Sequence, residues 1–287
     1  MKDVKKISLF NIVNTIIMLL VILVTAYPFY HVLVASFSDP TAVSTHTGLL
    51  LLPLKPLSTK AYEVVLGLPS IISGYKNSLF VLIVGVMVNM ALTILGAYFL
   101  SIKGPMFKDI VSITVIISMY FHGGMVPEYL NVKDLGLLNS LWSLIIPTAI
   151  KTTNLIIMKS AFSSIPDSLV EAAQLDGASY WKILTMVMVP LSKATIAVLV
   201  LYYGVSHWNS WFNASIYLMD SSKFPLQLIL RNLLNSLNGV EGMDQLAEYV
   251  DLVKYALIIV TTLPILVLYP FLQKYFAKGV MIGAVKG

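Results

Sequence analysis

Polar residues interrupt the apolar stretches of this chain in two places, and these are the first candidates for binding chemistry. The tetrapeptide KTTN, residues 151–154, follows Pro147 inside the apolar run 137–159. A lysine at the centre of a membrane span costs about 2.5–3.5 kcal/mol, and polar residues there usually face the bundle interior or a cavity. Lys151 could reach the membrane surface or pair structurally, or it could bind a ligand carboxylate. Asn89 in VMVNMAL could likewise form a hydrogen bond between helices or contact a ligand.

The second candidate is the stretch LYYGVSHWNSWFNASIYL, which combines aromatic rings with amides and hydroxyls. Helical spacing predicts one face with Tyr203, His207 and Ser210, and another with Trp208 and Trp211. Such faces suit sugar rings, which present C–H patches beside hydroxyls. An aromatic belt at the membrane–water interface is the alternative. The candidate path residues from both places are Asn89, Lys151, Asn154, Tyr203, His207, Trp208, Asn209 and Trp211.

Residues for covalent or metal chemistry do not converge in the sequence. The chain contains no Cys, and its four His are dispersed. His207 has no second His or acid at metal-ligand spacing. A G-x-x-x-x-G-K-[ST] phosphate loop is also absent from the sequence. We therefore expect no catalytic residue, no metal site and no cofactor bound by this chain.

The elements that position these residues are membrane spans, because the composition does not fit a water-facing surface. Hydrophobic residues make up 57% of the chain and charged residues 11%, against about 25% charged in soluble domains. The first apolar run is too long for a signal-peptide core and is interpreted as a retained span. The predicted fold class is all-α, a polytopic membrane protein with six spans. They cover residues 12–37, 78–101, 107–124, 137–159, 183–207 and 254–276.

Charge predicts the orientation of these spans. The net charge of +5 comes from scattered basic residues, which favours membrane topology over nucleic-acid binding. Placing both termini in the cytoplasm puts most lysines inside and leaves the outer segments net negative, in line with the positive-inside rule. The outer segments 38–77 and 214–253 are either plain connectors or a docking surface for an external partner.

The segment EAAQLDGASYWKILTMVMVP, residues 171–190, then faces the cytoplasm. Pro166 and Asp167 favour the start of a helix. Asp176-Gly177 predicts a turn, because glycine accepts positive φ. A second short helix should follow and end or kink at Pro190. The segment is too apolar to stand alone in water, so either a protein partner or the lipid surface should cover it.

This segment resembles a known family. Glu171-Ala172-Ala173, Asp176-Gly177-Ala178 and Val189-Pro190 resemble the EAA…G…LP loop of binding-protein-dependent ABC import permeases. The passages FSSIPDSLVEAAQLDGAS, VPLSK and WNSW are similar to the shorter permease of the maltose type. The C-terminal YPFLQKYFAKGVMIGAVKG resembles a subgroup for acidic oligosaccharides such as aldouronates or alginate. Leu184 and Ala194 depart from the family pattern, where Phe and Pro are usual.

The resemblance implies the ABC importer permease fold and a transport function without enzymatic activity. A separate ATPase dimer would bind ATP and Mg and receive the loop. A second, homologous permease would complete the path, and an extracytoplasmic solute-binding protein would deliver the oligosaccharide. The location implied is the bacterial cytoplasmic membrane, with lipid contacts and no nucleic acid. The implied ATPase-coupling residues are Glu171, Ala172, Ala173, Asp176, Gly177 and Pro190.

The predicted organisation has three parts. Residues 1–73 form the tail, first span and outer loop, residues 74–276 the core permease domain with its coupling loop 163–190, and residues 277–287 a cytoplasmic tail.

A secondary transporter should show internal repeats and midplane charges, which are not evident apart from Lys151. A membrane enzyme needs convergent ligands or nucleophiles. A structural docking protein could use the same cytoplasmic loop.

Overall fold

The computed structural model describes residues 9–104, 106–121, 123–238 and 250–267, which form helices and turns with no strand among them. The predicted all-α class is confirmed. The α-helices in chain order are α1 (Leu9–Ser36), α2 (Pro40–Thr45), α3 (Lys60–Gly67), α4 (Pro69–Ser101), α5 (Lys108–Tyr120), α6 (Met125–Asp134), α7 (Thr152–Ser163), α8 (Asp167–Leu175), α9 (Tyr180–Ile183), α10 (Val189–Leu191), α11 (Lys193–Trp208), α12 (Trp211–Tyr217), α13 (Leu226–Asn238) and α14 (Val250–Val267). Shorter 3₁₀ turns cover Leu141–Leu144, Ile146–Thr148 and Ser221–Lys223, and Leu184–Met188 is π-helical.

Three of the described helices, α1, α4 and α14, are long and apolar enough to cross a membrane. Two bent pairs reach that length only when joined: the 3₁₀ segment 141–148 with α7, bent by 50°, and Tyr180–Leu191 with α11, bent by 83°. Helix α5 has 13 residues, short of the roughly 20 needed to span, so the predicted third span 107–124 is shorter than expected. Residues 268–276 of the predicted sixth span lie outside the described residues.

The described residues fall into two compact units. The first contains those up to Pro69 and those between Asn232 and Leu263. Its small core joins Val34, Ala35 and Leu50, with Tyr255 packed against them. Most of α1 presents exposed apolar side chains, as a lipid-facing helix does.

The second unit contains Ser70–Arg231 and the described residues from Pro264 onward. Helix α4 supplies side chains to both of its main apolar clusters. One cluster packs α4 against α7, the π-helical turn and α11, around Met158, Phe162 and Leu199. The other packs the opposite half of α4 against α6, the segment 141–148 and α12, around Val81 and Ile145. Helix α4 is therefore the central element on which the functional residues are arranged.

The loop between α7 and α11 has the predicted helix–turn–helix form. Helix α8 ends at Leu175, and Gly177 makes the turn at φ +73°. The predicted end or kink of the second helix at Pro190 is displaced by one residue, because the helical segment continues to Leu191 and the 83° bend follows it. The π-helical turn explains the difference: Val189 N–H donates to Leu184 O, so the wider helical register passes the proline, which has no N–H of its own.

Candidate functional site

The first part of the site is a break in the fourth apolar segment. The 3₁₀ turn Ile146–Thr148 contains Pro147, and Lys151 is extended at φ −95° and ψ 121° before α7 begins. The last carbonyls of a helix lack intrahelical partners. Here those carbonyls belong to Thr148 and Ala149, in the middle of an apolar segment, so other groups must satisfy them.

Asn89 on α4 satisfies both carbonyls. Its Nδ2 donates to Thr148 O at 2.6 Å and to Ala149 O at 2.8 Å, and the side chain is fully buried. Because Nδ2 faces the carbonyls, Oδ1 faces His207 Nε2 at 2.6 Å and accepts from it. His207 therefore carries a proton on Nε2. Gly85 makes room for this ring, since a Cβ there would lie 2.5 Å from Nε2.

Tyr203 on α11 joins the network one turn before His207. Its hydroxyl accepts from Lys151 N–H at 3.1 Å and shares a second hydrogen bond of 2.8 Å with the hydroxyl of Thr93, in which either group can be the donor. Tyr203 is buried, and Thr93 lies one turn after Asn89 on α4. Side chains from α4 and α11 thus hold the two sides of the break. We call the four buried side chains that do so the polar clasp: Asn89, Thr93, Tyr203 and His207.

Lys151 lies between the polar clasp and a cavity. Its Nζ donates to Ser206 Oγ at 2.6 Å, and the side chain is half-buried. The cavity beside it has a volume of about 480 Å³. Most of its lining is polar or hydroxylated, and it includes Ser118, Glu128, Asn131, Lys151, Thr152, Thr153, Asn213 and Tyr217. A smaller cavity of about 190 Å³ adjoins His207 and Asn209.

The structure brings together Asn89, Lys151, Tyr203 and His207, and Asn209 lines the smaller cavity with His207. The other candidate path residues make different contacts. Trp208 is buried beside Tyr75 and lines an apolar cavity between α4 and α11. Trp211 lies under the Arg231 guanidinium, 3.8 Å from its ring centre.

Asn154 is buried, and its Nδ2 has no hydrogen-bond partner among the described residues. Asn209 is exposed, and its Nδ2 donates to Val205 O at 3.0 Å.

The prediction of continuous helical faces across 203–211 is wrong. Helix α11 ends at Trp208 and α12 begins at Trp211, so these tryptophans belong to different helices. Ser210 likewise lies beyond α11, and its hydroxyl donates to His207 O at 2.8 Å. Asn209 and Ser210 both bond backward to α11 carbonyls, which competes with continuation of the helix.

Sequence reasoning missed Thr93, Ser206, Glu128 and Gly85. Thr93 and Gly85 are each four residues from Asn89, and Ser206 is three from Tyr203. Helical spacing from those two candidates points to all three, so a search along the same faces could have found them. Glu128 has no comparable signal, because α6 comes to the cavity only through tertiary packing.

The second part of the site is the loop around α8, which we call the coupling surface and which comprises residues 166–182. Val170 and Ala173 pack against the apolar cluster of α4, α7 and α11, whereas Glu171 and Ala172 are exposed. Leu175 is 90% exposed. Leu169, Tyr180 and Trp181 are also exposed, so this surface presents several large apolar side chains.

Two contacts from α4 and the turn after it fix this surface. Tyr98 OH donates to Tyr180 O at 3.0 Å. Lys103 Nζ donates to Asp167 Oδ2 at 2.6 Å, and this bond raises the pKa of Lys103 above its ordinary value. The coupling surface and the polar clasp are therefore held by the same helix, at Tyr98 and at Asn89.

These features define a class: a polytopic membrane protein with an exposed helix–turn–helix loop and a polar cavity among its helices. Within the described residues, no group of His and acidic side chains could hold a metal ion. No family model matches the chain. Comparison with individual proteins gives the family.

The polygalacturonan/rhamnogalacturonan transport system permease protein YtcP of Bacillus subtilis is 39% identical over 94% of this chain and 96% of its own. The inner membrane ABC transporter permease protein YcjP of Escherichia coli is 30% identical over 93% of this chain and 94% of its own. A solved structure of a bacterial ABC transporter involved in the import of the acidic polysaccharide alginate matches 95% of this chain and 98% of its own, with a TM-score of 0.86 and 31% identity.

The chain belongs to the family of ABC-transporter permease subunits. It is a multi-pass membrane protein and a transport subunit rather than an enzyme.

Proposed function

We propose that this chain is one of two permease subunits of an importer for acidic oligosaccharides in the bacterial cytoplasmic membrane. Relatives named for polygalacturonan/rhamnogalacturonan transport and for alginate import support the substrate class. The observation that carries the coupling role is the exposed surface around α8, anchored at Asp167 and at Tyr180, on a chain whose sequence has no phosphate loop. The energy must therefore come from a partner that binds this surface.

The proposed partners follow from that arrangement. Two copies of an ATPase bind ATP and Mg on the cytoplasmic side, and one of them receives α8. A second homologous permease completes the path, and a solute-binding protein delivers the sugar from outside. Both termini lie in the cytoplasm, since this orientation puts the basic residues inside. The division into residues 1–73, 74–276 and 277–287 is part of the proposal.

The coupling residues have distinct proposed roles. Glu171 and Ala172 are exposed on α8 and contact the ATPase, while Ala173 packs the helix onto the core. Asp176 and Gly177 form the turn that presents the helix. Pro190 lies in the stiff segment that joins the turn to α11. A push on α8 is therefore transmitted to α11 through packed helix rather than through a flexible linker.

The path residues also divide by role in the proposal. Asn89, Tyr203 and His207 hold the break in shape, and Lys151 faces the sugar. The remaining candidates stay in the proposal as residues of the path wall. Trp208 and Asn209 line neighbouring cavities, Asn154 follows the cavity-lining Thr153 in the first turn of α7, and Trp211 is the first residue of α12.

The test is ATP-driven uptake by the complete transporter in reconstituted vesicles. Glu171→Lys and Gly177→Pro should leave the complex assembled in the membrane but abolish the link between ATP hydrolysis and uptake. Gly136→Pro is the matched control: Gly136 also has positive φ, +68° against +73°, and its N–H also donates to a carbonyl three residues back. Both proline variants lose the same bond, so uptake that falls equally in both contradicts a coupling role for the turn.

A further inference from the structure

We propose that Lys151 is a specificity-determining residue that binds the carboxylate of a uronate unit in the 480 Å³ cavity, with Ser206 as its resting partner. This inference rests on the proposed function and adds to it the group that distinguishes acidic from neutral sugars, the Nζ ammonium of Lys151. Three observations carry it: the lysine lacks an acidic partner, the cavity wall suits sugar hydroxyls, and the backbone at position 151 is fixed.

The charge of Lys151 is not neutralised within the described chain. The described ion pairs join other residues, and their side chains are largely exposed. Lys151 is half-buried, and the one bond of its Nζ goes to the neutral hydroxyl of Ser206. A partly buried ammonium with no acidic group in ion-pair contact is costly and therefore favours an anion. An ammonium also has three donors, so it can bind a carboxylate without losing Ser206.

The cavity wall matches the rest of a sugar ring. Hydroxyls of Ser118, Thr152 and Thr153 and the amides of Asn131 and Asn213 line it. These groups both donate and accept, as hydroxyl-rich ligands require. Its volume of about 480 Å³ lies within the range of about 300–1,000 Å³ typical of small-ligand sites.

Glu128 is the one acidic residue among the described residues that line the cavity. Its carboxylate repels a second carboxylate and accepts hydrogen bonds from hydroxyls. It therefore directs the acidic end of a uronate toward Lys151 and the hydroxyl edge toward itself. The opposite charges on the cavity wall give the bound sugar one preferred orientation.

The position of Lys151 is fixed by its backbone rather than by its side chain. Its N–H donates to Tyr203 OH, which is itself held by Thr93. The ammonium can therefore exchange partners while the Cα stays in place. A bond to a carboxylate is stronger than one to a neutral hydroxyl, so binding a uronate displaces or supplements the contact with Ser206.

The experiment uses the absence of cysteine from this chain. Lys151→Cys and Lys151→Met transporters, assembled with their partner subunits in vesicles, are assayed for uptake of trigalacturonate. Both should raise the apparent KM about tenfold or more, as expected for loss of a charged hydrogen bond. Aminoethyl methanethiosulfonate attaches a positively charged group to the introduced thiol and should recover most of the uptake. Methyl methanethiosulfonate attaches a neutral methylthio group and should not. The wild-type complex treated with the same reagents controls for cysteines in the partner subunits.

Two further variants separate sugar binding from a structural role. Ser206→Ala removes the resting partner. If Lys151 serves the sugar, this variant should raise the apparent KM for trigalacturonate less than Lys151→Met does; if the Lys151–Ser206 bond serves the fold, the two losses should be equal. Lys159→Met is the matched control, since Lys159 lies on α7, which begins directly after Lys151, donates to Ser112 Oγ at 3.4 Å and is outside the cavity lining. The inference is overturned if uptake by Lys151→Met stays within about twofold of wild type. It is also overturned if uptake by Lys151→Cys recovers equally with both reagents or with neither. A loss of uptake in Ser206→Ala that matches the loss in Lys151→Met contradicts it as well. Failure of the wild-type complex to take up any oligosaccharide would instead contradict the proposed function.

Discussion

Replacing Asn89 by alanine tests whether the polar clasp holds the break in the fourth segment. The substitution removes both bonds to the carbonyls of Thr148 and Ala149 and the acceptor of His207. Side-chain hydrogen bonds in membrane proteins average about 0.6 kcal/mol, and each buried group left unpaired costs about 1–3 kcal/mol. Both bonds to the carbonyls are only partly buried, which keeps the loss below the upper limit. We therefore expect Asn89→Ala to lower the free energy of unfolding by about 2–4 kcal/mol.

The assay is reversible unfolding of the purified permease in mixed micelles by titration with a denaturing detergent, followed by circular dichroism. Asn154→Ala is the matched control, because Asn154 is also a buried asparagine in an apolar segment but no hydrogen bond of its side chain occurs among the described residues. It should change the free energy of unfolding by less than about 1 kcal/mol. Equal losses for the two variants would refute the reasoning, since burial alone would then explain the effect.

Two other variants test the surroundings of the polar clasp and of the coupling surface. Gly85→Ala places a Cβ 2.5 Å from His207 Nε2 and should cost about 1–3 kcal/mol, whereas Gly204→Ala meets ordinary contacts at 3.5 Å and should be neutral or stabilising; detergent unfolding compares them. Lys103→Met should leave the melting temperature unchanged, because its ion pair with Asp167 is exposed, but it should lower ATP-driven uptake by loosening α8. Since the pKa of Lys103 is raised, the lysine stays charged at neutral pH and loses its proton as pH rises through that raised pKa, so wild-type uptake should show no titration of this lysine between about pH 6 and 9.

The coupling loop could be predicted from sequence because its signals are local. Proline and aspartate at the start of α8 and glycine at its end act through the backbone of the same few residues. The bend after Leu191 could not be predicted in the same way. It depends on a π-helical turn in which Val189 bonds five residues back, and nothing in the residue types distinguishes that register from an ordinary helix.

The polar clasp could be predicted from the sequence only in part. Asn89 could be selected because an amide inside a span needs partners, but those partners are backbone carbonyls 59 and 60 residues away. Backbone atoms carry no residue signature, so only the fold reveals them. The aromatic stretch fails for another reason: Asn209 and Ser210 have side chains that bond to the preceding turn, and this local competition ended the helix that the spacing assumed.

The order of residues along α11 connects the two parts of the site. The helix begins directly after the bend that closes the coupling loop, and near its far end Tyr203, Ser206 and His207 bond to Lys151 N–H, Lys151 Nζ and Asn89. A helix is stiff along its axis, so a displacement of its first turn must move these three side chains together. The backbone of Lys151 also bonds to Tyr203, while the carbonyls beside it bond to α4. Movement of α11 relative to α4 therefore either breaks the polar clasp or changes the angle at the break, and in both cases it repositions the Lys151 ammonium in the cavity.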